Sequence, residues 1–155
     1  MEILPQTSDC FACGKNHPSG LRLAFSLDGD AVTCIWNTQP HQSGFHGTVH
    51  GGLTATVLDE AMAWACGILA GRFAYSVEMT MRYHKILSPG METVCRAELE
   101  SKPSNRLIKT KATLTCAGEL VASATGKYIP IRDFTEDDIR KEFDEGAEVI
   151  LSYLA

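Results

Sequence analysis

The chain has 155 residues, 45% of them hydrophobic and 21% charged, with a formal charge of −5. That length suits one compact domain and is short for two, so a single domain over residues 1–155 is expected, with an N-terminal loop at 1–20 and a helical tail at 133–155. The negative balance excludes a basic field for nucleic acid. Neither the start, Met1-Glu2-Ile3-Leu4-Pro5-Gln6, nor the apolar segment holding Asp59 and Glu60 suits a leader or a membrane span, so a cytoplasmic location is expected.

Six cysteines stand at 10, 13, 34, 66, 95 and 116, four of them singly within predicted strands or the helix, so reduced thiols are expected rather than a disulfide framework. Cys10-x-x-Cys13 is half of a zinc site, with His17 as a third ligand, but no second cysteine pair completes a tetrahedral sphere. No metal is assigned, and the two thiols are expected to pack a tight glycine-containing loop. Alternation in Leu21-Arg22-Leu23-Ala24-Phe25-Ser26-Leu27, the turn Asp28-Gly29-Asp30 and the run Ala31–Trp36 predict an antiparallel hairpin. His46 and His50, after His41, have the four-residue spacing of helical metal ligands. Gly47, Thr48 and Val49 oppose a helix there and no carboxylate sits in register, so no catalytic metal is expected.

A helix is predicted from the His50-Gly51-Gly52 turn to near Gly71, because Leu53, Val57, Ala61, Trp64, Ala65 and Ile68 recur at helical spacing. Four strands follow, at about 73–86, 92–101, 106–117 and 119–131, separated by Pro89-Gly90, Pro103-Ser104-Asn105 and Ala117-Gly118. Two strands, one apolar helix and four strands make an α+β layer in which the helix covers the sheet. The acidic tail offers Thr135 as N-cap with Asp138 three residues on, Gly146 as a stop, and Phe134, Ile139 and Phe143 as a stripe docking on the outer surface.

The chemistry gathers on the long helix. Ala55, Leu58, Met62 and Cys66 make much of its remaining surface apolar, so Asp59 and Glu60 are acids in a buried element, where an isolated carboxylate is strongly disfavoured. The two glycines let the first peptide N–H groups of the helix point at a bound oxygen, and a helix start favours developing negative charge.

The His-Gly-Gly turn, with Asp59 nine residues after the histidine, resembles the hotdog-fold acyl-CoA thioesterases of the phenylacetate-degradation type. Cys10-x-x-Cys13-Gly14, Asn16-His17-Pro18-Ser19-Gly20-Leu21, the run Ser76–Tyr83 and the Pro89-Gly90 turn extend the resemblance over residues 10–131. It implies a hotdog fold, an antiparallel sheet wrapped around one long central helix. It implies also hydrolysis of an acyl-CoA thioester, at sites between two protomers whose sheets join side by side, in a homodimer or a dimer of dimers. No cofactor is implied, coenzyme A being part of the substrate.

Helix geometry leads separately to two chains. Asp59 lies eight residues past Gly51, about 12 Å along one helix at 1.5 Å per residue. One thioester carbon cannot touch both, and helices from two protomers supply the two ends more easily. In the implied site the Gly51 N–H polarises the carbonyl, with Gly52 beside it in substrate binding. The partner's Asp59 acts as base or nucleophile, His50 shapes the turn or holds substrate, and Ser76 positions the attacking water. Glu60, about 100° round the helix, is expected to be ion-paired or to orient a neighbour. Gln42 and Ser43 stand near the place of an amide that contributes in some relatives, but out of register, and take no role.

The cations Arg82, Lys85, Lys102 and Arg106 lie at strand ends or turns where the phosphates of coenzyme A could dock. The resemblance implies a basic residue at Arg106, after the Asn105 turn, which is expected to bind them first, with Arg82 and Asn105 in the same role. Phe45, Met62, Trp64 and Phe73 suit an acyl pocket and serve equally well as core. Two other readings use the same fold: a non-catalytic acyl-CoA sensor, which has no need of Asp59, and an enoyl-thioester hydratase, which wants a histidine and an acid at one centre.

Overall fold

A computed structural model of the chain describes residues 1–154. Seven strands pair into one antiparallel sheet: β1 (Glu2–Ile3), β2 (Phe25–Asp28), β3 (Ala31–Asn37), β4 (Ala74–Tyr83), β5 (Glu92–Leu99), β6 (Ile108–Cys116) and β7 (Glu119–Pro130). Their spatial order is β1-β2-β3-β5-β6-β7-β4, which leaves β4 on an edge. Period-two alternation sets the faces. In β6, Ile108, Thr110, Ala112 and Leu114 are buried while Lys109, Lys111 and Thr113 are exposed.

The helix α1 (Gly51–Leu69) lies across the apolar face and packs on β3, β5, β6 and β7. Val57, Leu58, Ala61, Met62, Ala65 and Cys66 are its buried centre. Full burial of a Leu- or Met-sized side chain contributes about 1.5–3 kcal/mol, so contact with the sheet stabilises α1 more than helix propensity does. Gly71, at φ 70, turns the chain out of the helix where the sequence predicts its end. This is the hotdog fold, an antiparallel sheet around a long central helix, with a helical C-terminus. By length and composition α1 is apolar enough to cross a membrane, and 56% of that stretch is buried inside the fold.

Three expectations are corrected. Residues 1–20 are not all loop: Glu2 and Ile3 pair with Leu27 and Ser26 as β1, so three strands precede the helix rather than two. The first hairpin strand starts at Phe25 rather than Leu21. Arg22 sits at φ 52, and the Leu21 and Leu23 N–H groups bond to the Phe11 and Ala12 carbonyls (2.9 Å each), so this stretch belongs to the N-terminal loop. The tail does not run as one helix to Gly146. Thr135 and Asp138 form the expected reciprocal cap, but α2 (Glu136–Phe143) stops at Asp144, whose φ of 44 breaks it, and α3 (Ala147–Leu151) follows. The aromatic stripe docks as expected: Ile139 and Phe143 are buried, and the Phe143 and Phe134 rings lie 5.7 Å from Trp64 and Phe73 respectively.

Candidate active site

The start of α1 is built by a loop that bonds to itself and to its neighbours. The His50 N–H donates to the Gln42 carbonyl (3.0 Å), Val49 N–H to the Leu87 carbonyl (2.8 Å), and the buried Gln42 side chain accepts the Gln39 N–H (2.8 Å). Gln42, left without a role by its register, therefore anchors the histidine through its backbone. His50 is the N-cap, and its Nδ1 accepts the Gly52 N–H at 2.9 Å. The Gly52 donor is thereby occupied, and the Gly51 N–H is the first helix donor left without a partner among the described residues.

A side chain at either glycine would crowd a neighbour, Gly52 more than Gly51. A Cβ on Gly52 would stand 2.9 Å from His50 Nδ1, and one on Gly51 3.2 Å from the Tyr83 hydroxyl. That hydroxyl donates to the Gly51 carbonyl at 2.7 Å. Beside the exposed helix start lies a cavity of about 530 Å³, lined by His50, Gly51, Gly52, Tyr83, His84 and Lys85 among others. His46, at φ 56, lies in a single kinked turn rather than a helix, and His41, His46 and His50 form no ligand cluster among the described residues.

Asp59 is half-buried on α1, and its Oδ1 accepts a 2.7 Å hydrogen bond from the Tyr128 hydroxyl. Tyr128 is fully buried on β7. Burial, then the charge of Asp59, raises its phenol well above the ordinary range, so it stays protonated and acts as a donor. Gly126 makes room for it: a Cβ there would stand 2.5 Å from the Tyr128 ring. Burial, and then Asp59, also push the nearby Cys66 thiol up to about 12.

Ser76 lies directly opposite Tyr128 in the β4–β7 register, exposed on the edge strand just before a bulge. The sequence patterns single out neither Tyr83 nor Tyr128. The signal for Tyr128 is Gly126, a glycine inside a strand, which marks a close approach.

The other named residues are more dispersed. Arg82 lines, with Arg96 and Lys111, a separate concavity of about 520 Å³ rather than the cavity at the helix start. Arg106 is in the exposed turn where Ser104 Oγ accepts from the Arg106 and Leu107 N–H groups, and Asn105 Oδ1 accepts from Arg72 at 2.7 Å. β6 begins just beyond that turn, with Ile108 opposite Tyr128, so Arg106 belongs to the Asp59 end of the sheet. The proposed acyl-pocket residues do not share one cavity: Met62 is buried, Phe45 is exposed, and Trp64 and Phe73 border a third hollow of about 360 Å³.

That hollow also meets Glu60. No cation lies within ion-pair distance of Glu60 among the described residues, so the ion-paired alternative is corrected. Its Oε1 accepts instead from Trp64 Nε1 (3.1 Å) and from Cys10 Sγ (3.7 Å). Burial first, and then Cys10, raise its pKa to about 7. Cys13 joins the group, whereas His17 does not: its Nδ1 accepts the Ser19 N–H. None of the six cysteines is joined to another.

The profile of the thioesterase superfamily matches residues 46–123, which include Gly51, Asp59 and Ser76 but neither Tyr128 nor the Cys10–Cys13 loop. No curated protein matches the chain. Among solved structures, it is similar to a variant of the phenylacetic acid degradation protein PaaI of Thermus thermophilus, at 26% identity and TM-score 0.65, over 72% of this chain and 95% of that one. Zebrafish thioesterase superfamily member 2 shares the fold at 21% identity and TM-score 0.67, over 77% of this chain and 90% of that one. The thioesterase superfamily protein RHA08564 is matched at 21% identity and TM-score 0.71 over 77% of this chain, which spans 59% of its length. With half its residues matched by the family profile and its sheet and helix arranged as in these structures, the chain belongs to the thioesterase superfamily.

Proposed function

We propose that the protein hydrolyses an acyl-CoA thioester to the free acid and coenzyme A, in the manner of the phenylacetate-degradation type, at two sites shared between the protomers of a homodimer. The observation that carries this reading is the separation of two half-sites along α1. A free Gly51 N–H stands at its start, and an Asp59 carboxylate held by Tyr128 stands two turns later.

β4 suggests how the halves combine. Its Tyr83 touches Gly51, while its Ser76 pairs with Tyr128, the residue that holds Asp59. Antiparallel pairing of this edge with a second copy, about the middle of the strand, would set the Tyr83 end of one chain against the Ser76 end of the other. That arrangement closes the gap of about 12 Å that one helix cannot. It would also cover Tyr75, Val77 and Tyr83, which are 68%, 55% and 52% exposed.

In the proposed reaction the carbonyl oxygen accepts the Gly51 N–H. The partner's Asp59 takes a proton from water as the water oxygen attacks the carbonyl carbon, with Ser76 positioning that water. The tetrahedral oxyanion then collapses, the carbon–sulfur bond breaks, and the thiolate of coenzyme A recovers the proton. Direct attack by Asp59, through an anhydride that water then opens, gives the same products. His50 holds the turn that presents Gly51. Arg82 and Arg106, with Asn105, receive the phosphates.

The test is thiol release from a panel running from acetyl- to palmitoyl-CoA with phenylacetyl- and hydroxybenzoyl-CoA added, comparing wild type with Asp59→Asn, and sedimentation to read the dimer. Release that collapses in the variant while the dimer persists supports the reading and gives the acyl class. Binding of acyl-CoA with no release from any of them would make the protein a sensor.

A further inference from the structure

We propose that Cys10, Cys13 and Glu60 together bind one zinc ion, which fastens the N-terminal loop to the middle of α1. This site is separate from the one proposed for thioester hydrolysis, and its test does not read that activity.

The ligand atoms of the three residues all lie within 4.8 Å of one another, and Cys10 Sγ stands 3.7 Å from Glu60 Oε1. A tetrahedral zinc with bonds of about 2.3 Å to sulfur and about 2.0 Å to oxygen sets those two atoms about 3.5 Å apart. The sulfur and the carboxylate oxygen are thus already spaced to share an ion. What the sequence alone lacks is a ligand partner for the cysteine pair. The fold supplies that ligand from fifty residues away.

The turn carrying the sulfurs has a fixed shape. The Gly14 N–H donates to the Cys10 carbonyl at 2.8 Å, and the Cys13 N–H points at Cys10 Sγ at 3.5 Å. A Cβ on Gly14 would stand 2.4 Å from the Cys10 oxygen and 2.8 Å from the Ser8 oxygen, so no side chain fits there. The ligands are oriented in turn by their neighbours. Trp64 Nε1 donates to the same Glu60 oxygen at 3.1 Å, and Thr7 Oγ1 lies 3.1 Å from Cys13 Sγ.

The chemistry of the set selects the ion. Two thiolates favour a thiophilic ion over magnesium or calcium, and with one carboxylate they suit zinc. Glu60 has no cationic side chain beside it among the described residues, and a divalent ion would offset two of the three negative charges that two thiolates and this carboxylate bring together. The thiols release their protons to solvent as the two sulfur–zinc bonds form. The hollow of about 360 Å³ that borders all three residues leaves room for water as the fourth ligand.

Full-length protein, stripped with a chelator and kept under a non-thiol reductant, is titrated with Co²⁺ and then with Zn²⁺. The expected result is one cobalt per chain, near-ultraviolet thiolate-to-cobalt absorption, intense visible bands of a four-coordinate centre, and displacement of both by zinc. Cys10→Ser should remove most of the near-ultraviolet absorption. Glu60→Gln should keep that absorption but weaken binding at least about tenfold, since even partners that merely orient a ligand are worth that much. Absence of thiolate–cobalt absorption at stoichiometric metal, or unchanged binding by Cys10→Ser, overturns the site. Unchanged affinity in Glu60→Gln overturns the role of the carboxylate. If circular dichroism finds that variant unfolded, Glu60→Asp replaces it and should likewise bind at least about tenfold more weakly, with wild-type affinity counting against Glu60.

Discussion

Asp59 and Glu60 are consecutive in the chain, yet the rotation of the helix by about 100° per residue hands them to different layers of the molecule. Asp59 turns toward β7 and accepts an O–H from Tyr128, while Glu60 turns toward the N-terminal loop, where it meets an indole N–H and a thiol. The difference shows that an acid in an apolar helix takes its meaning from the donor it faces. An oxygen donor locked in the core leaves a half-buried carboxylate free to work on something else. A pair of sulfurs around a second carboxylate makes a ligand set.

The largest expected effect breaks the comparison on one side only. Asp59→Asn keeps an oxygen for the Tyr128 hydroxyl and removes the charge, so kcat/KM for thiol release should fall by about 10²- to 10⁴-fold, the usual worth of a general base. Cobalt affinity should stay at the wild-type value, and a matching loss there would mean that the two acids share one site.

Two glycines give the next pair of effects, one for each side. Gly126→Ala drives a methyl into the Tyr128 ring, and overpacking of this kind costs about 1–3 kcal/mol. A lower melting temperature with slowed thiol release and intact cobalt binding is the expected outcome. Gly14→Ala drives its methyl into the Cys10 backbone instead, so it should weaken cobalt binding with thiol release kept. If each variant damages both readouts equally, the two sides are not separate. Tyr128→Phe keeps the ring and removes one hydrogen bond, worth about 1.5–3 kcal/mol when the acceptor is charged, and should lower kcat/KM by about 10- to 150-fold.

Much of this contrast can be read from the sequence, because it depends on period and spacing. The apolar stripe of α1 and the glycine turn before it are local patterns, and so are the alternating strands after it, and all three stand where the pattern puts them. The distance from Gly51 to Asp59 is likewise a matter of helix rise. What escapes a sequence reading is what lies across the fold. Tyr128 is sixty-nine residues from Asp59, and Glu60 fifty from Cys10, so neither contact leaves a local trace. The missed break at Arg22 has a similar cause. Leu21 and Leu23 alternate as a strand would, but their hydrogen-bond partners are Phe11 and Ala12 of a loop, and partners are not written in a period.

The smallest effect supplies a third kind of carboxylate against which the helix pair can be judged. Glu98 on β5 lies between Arg96 (2.9 Å) and Lys111 (3.2 Å), and Arg96 also reaches Asp28 and Asp30 of the β2–β3 turn. The Arg96 hydrogen bond, and then that of Lys111, hold the Glu98 carboxyl below its ordinary value of 4.5. A carboxylate lowered in the folded state contributes stability that is present above its unfolded pKa and lost as pH falls through the folded one. Glu98→Gln should therefore destabilise the fold at pH 7, by no more than about 1 kcal/mol for so exposed a network, and its melting temperature should converge on wild type in acid. Raising the salt should shrink the difference at pH 7. A loss that persists unchanged in acid and in salt would mean that Glu98 is held by packing rather than by charge. The open face of the sheet would then behave like the face under α1.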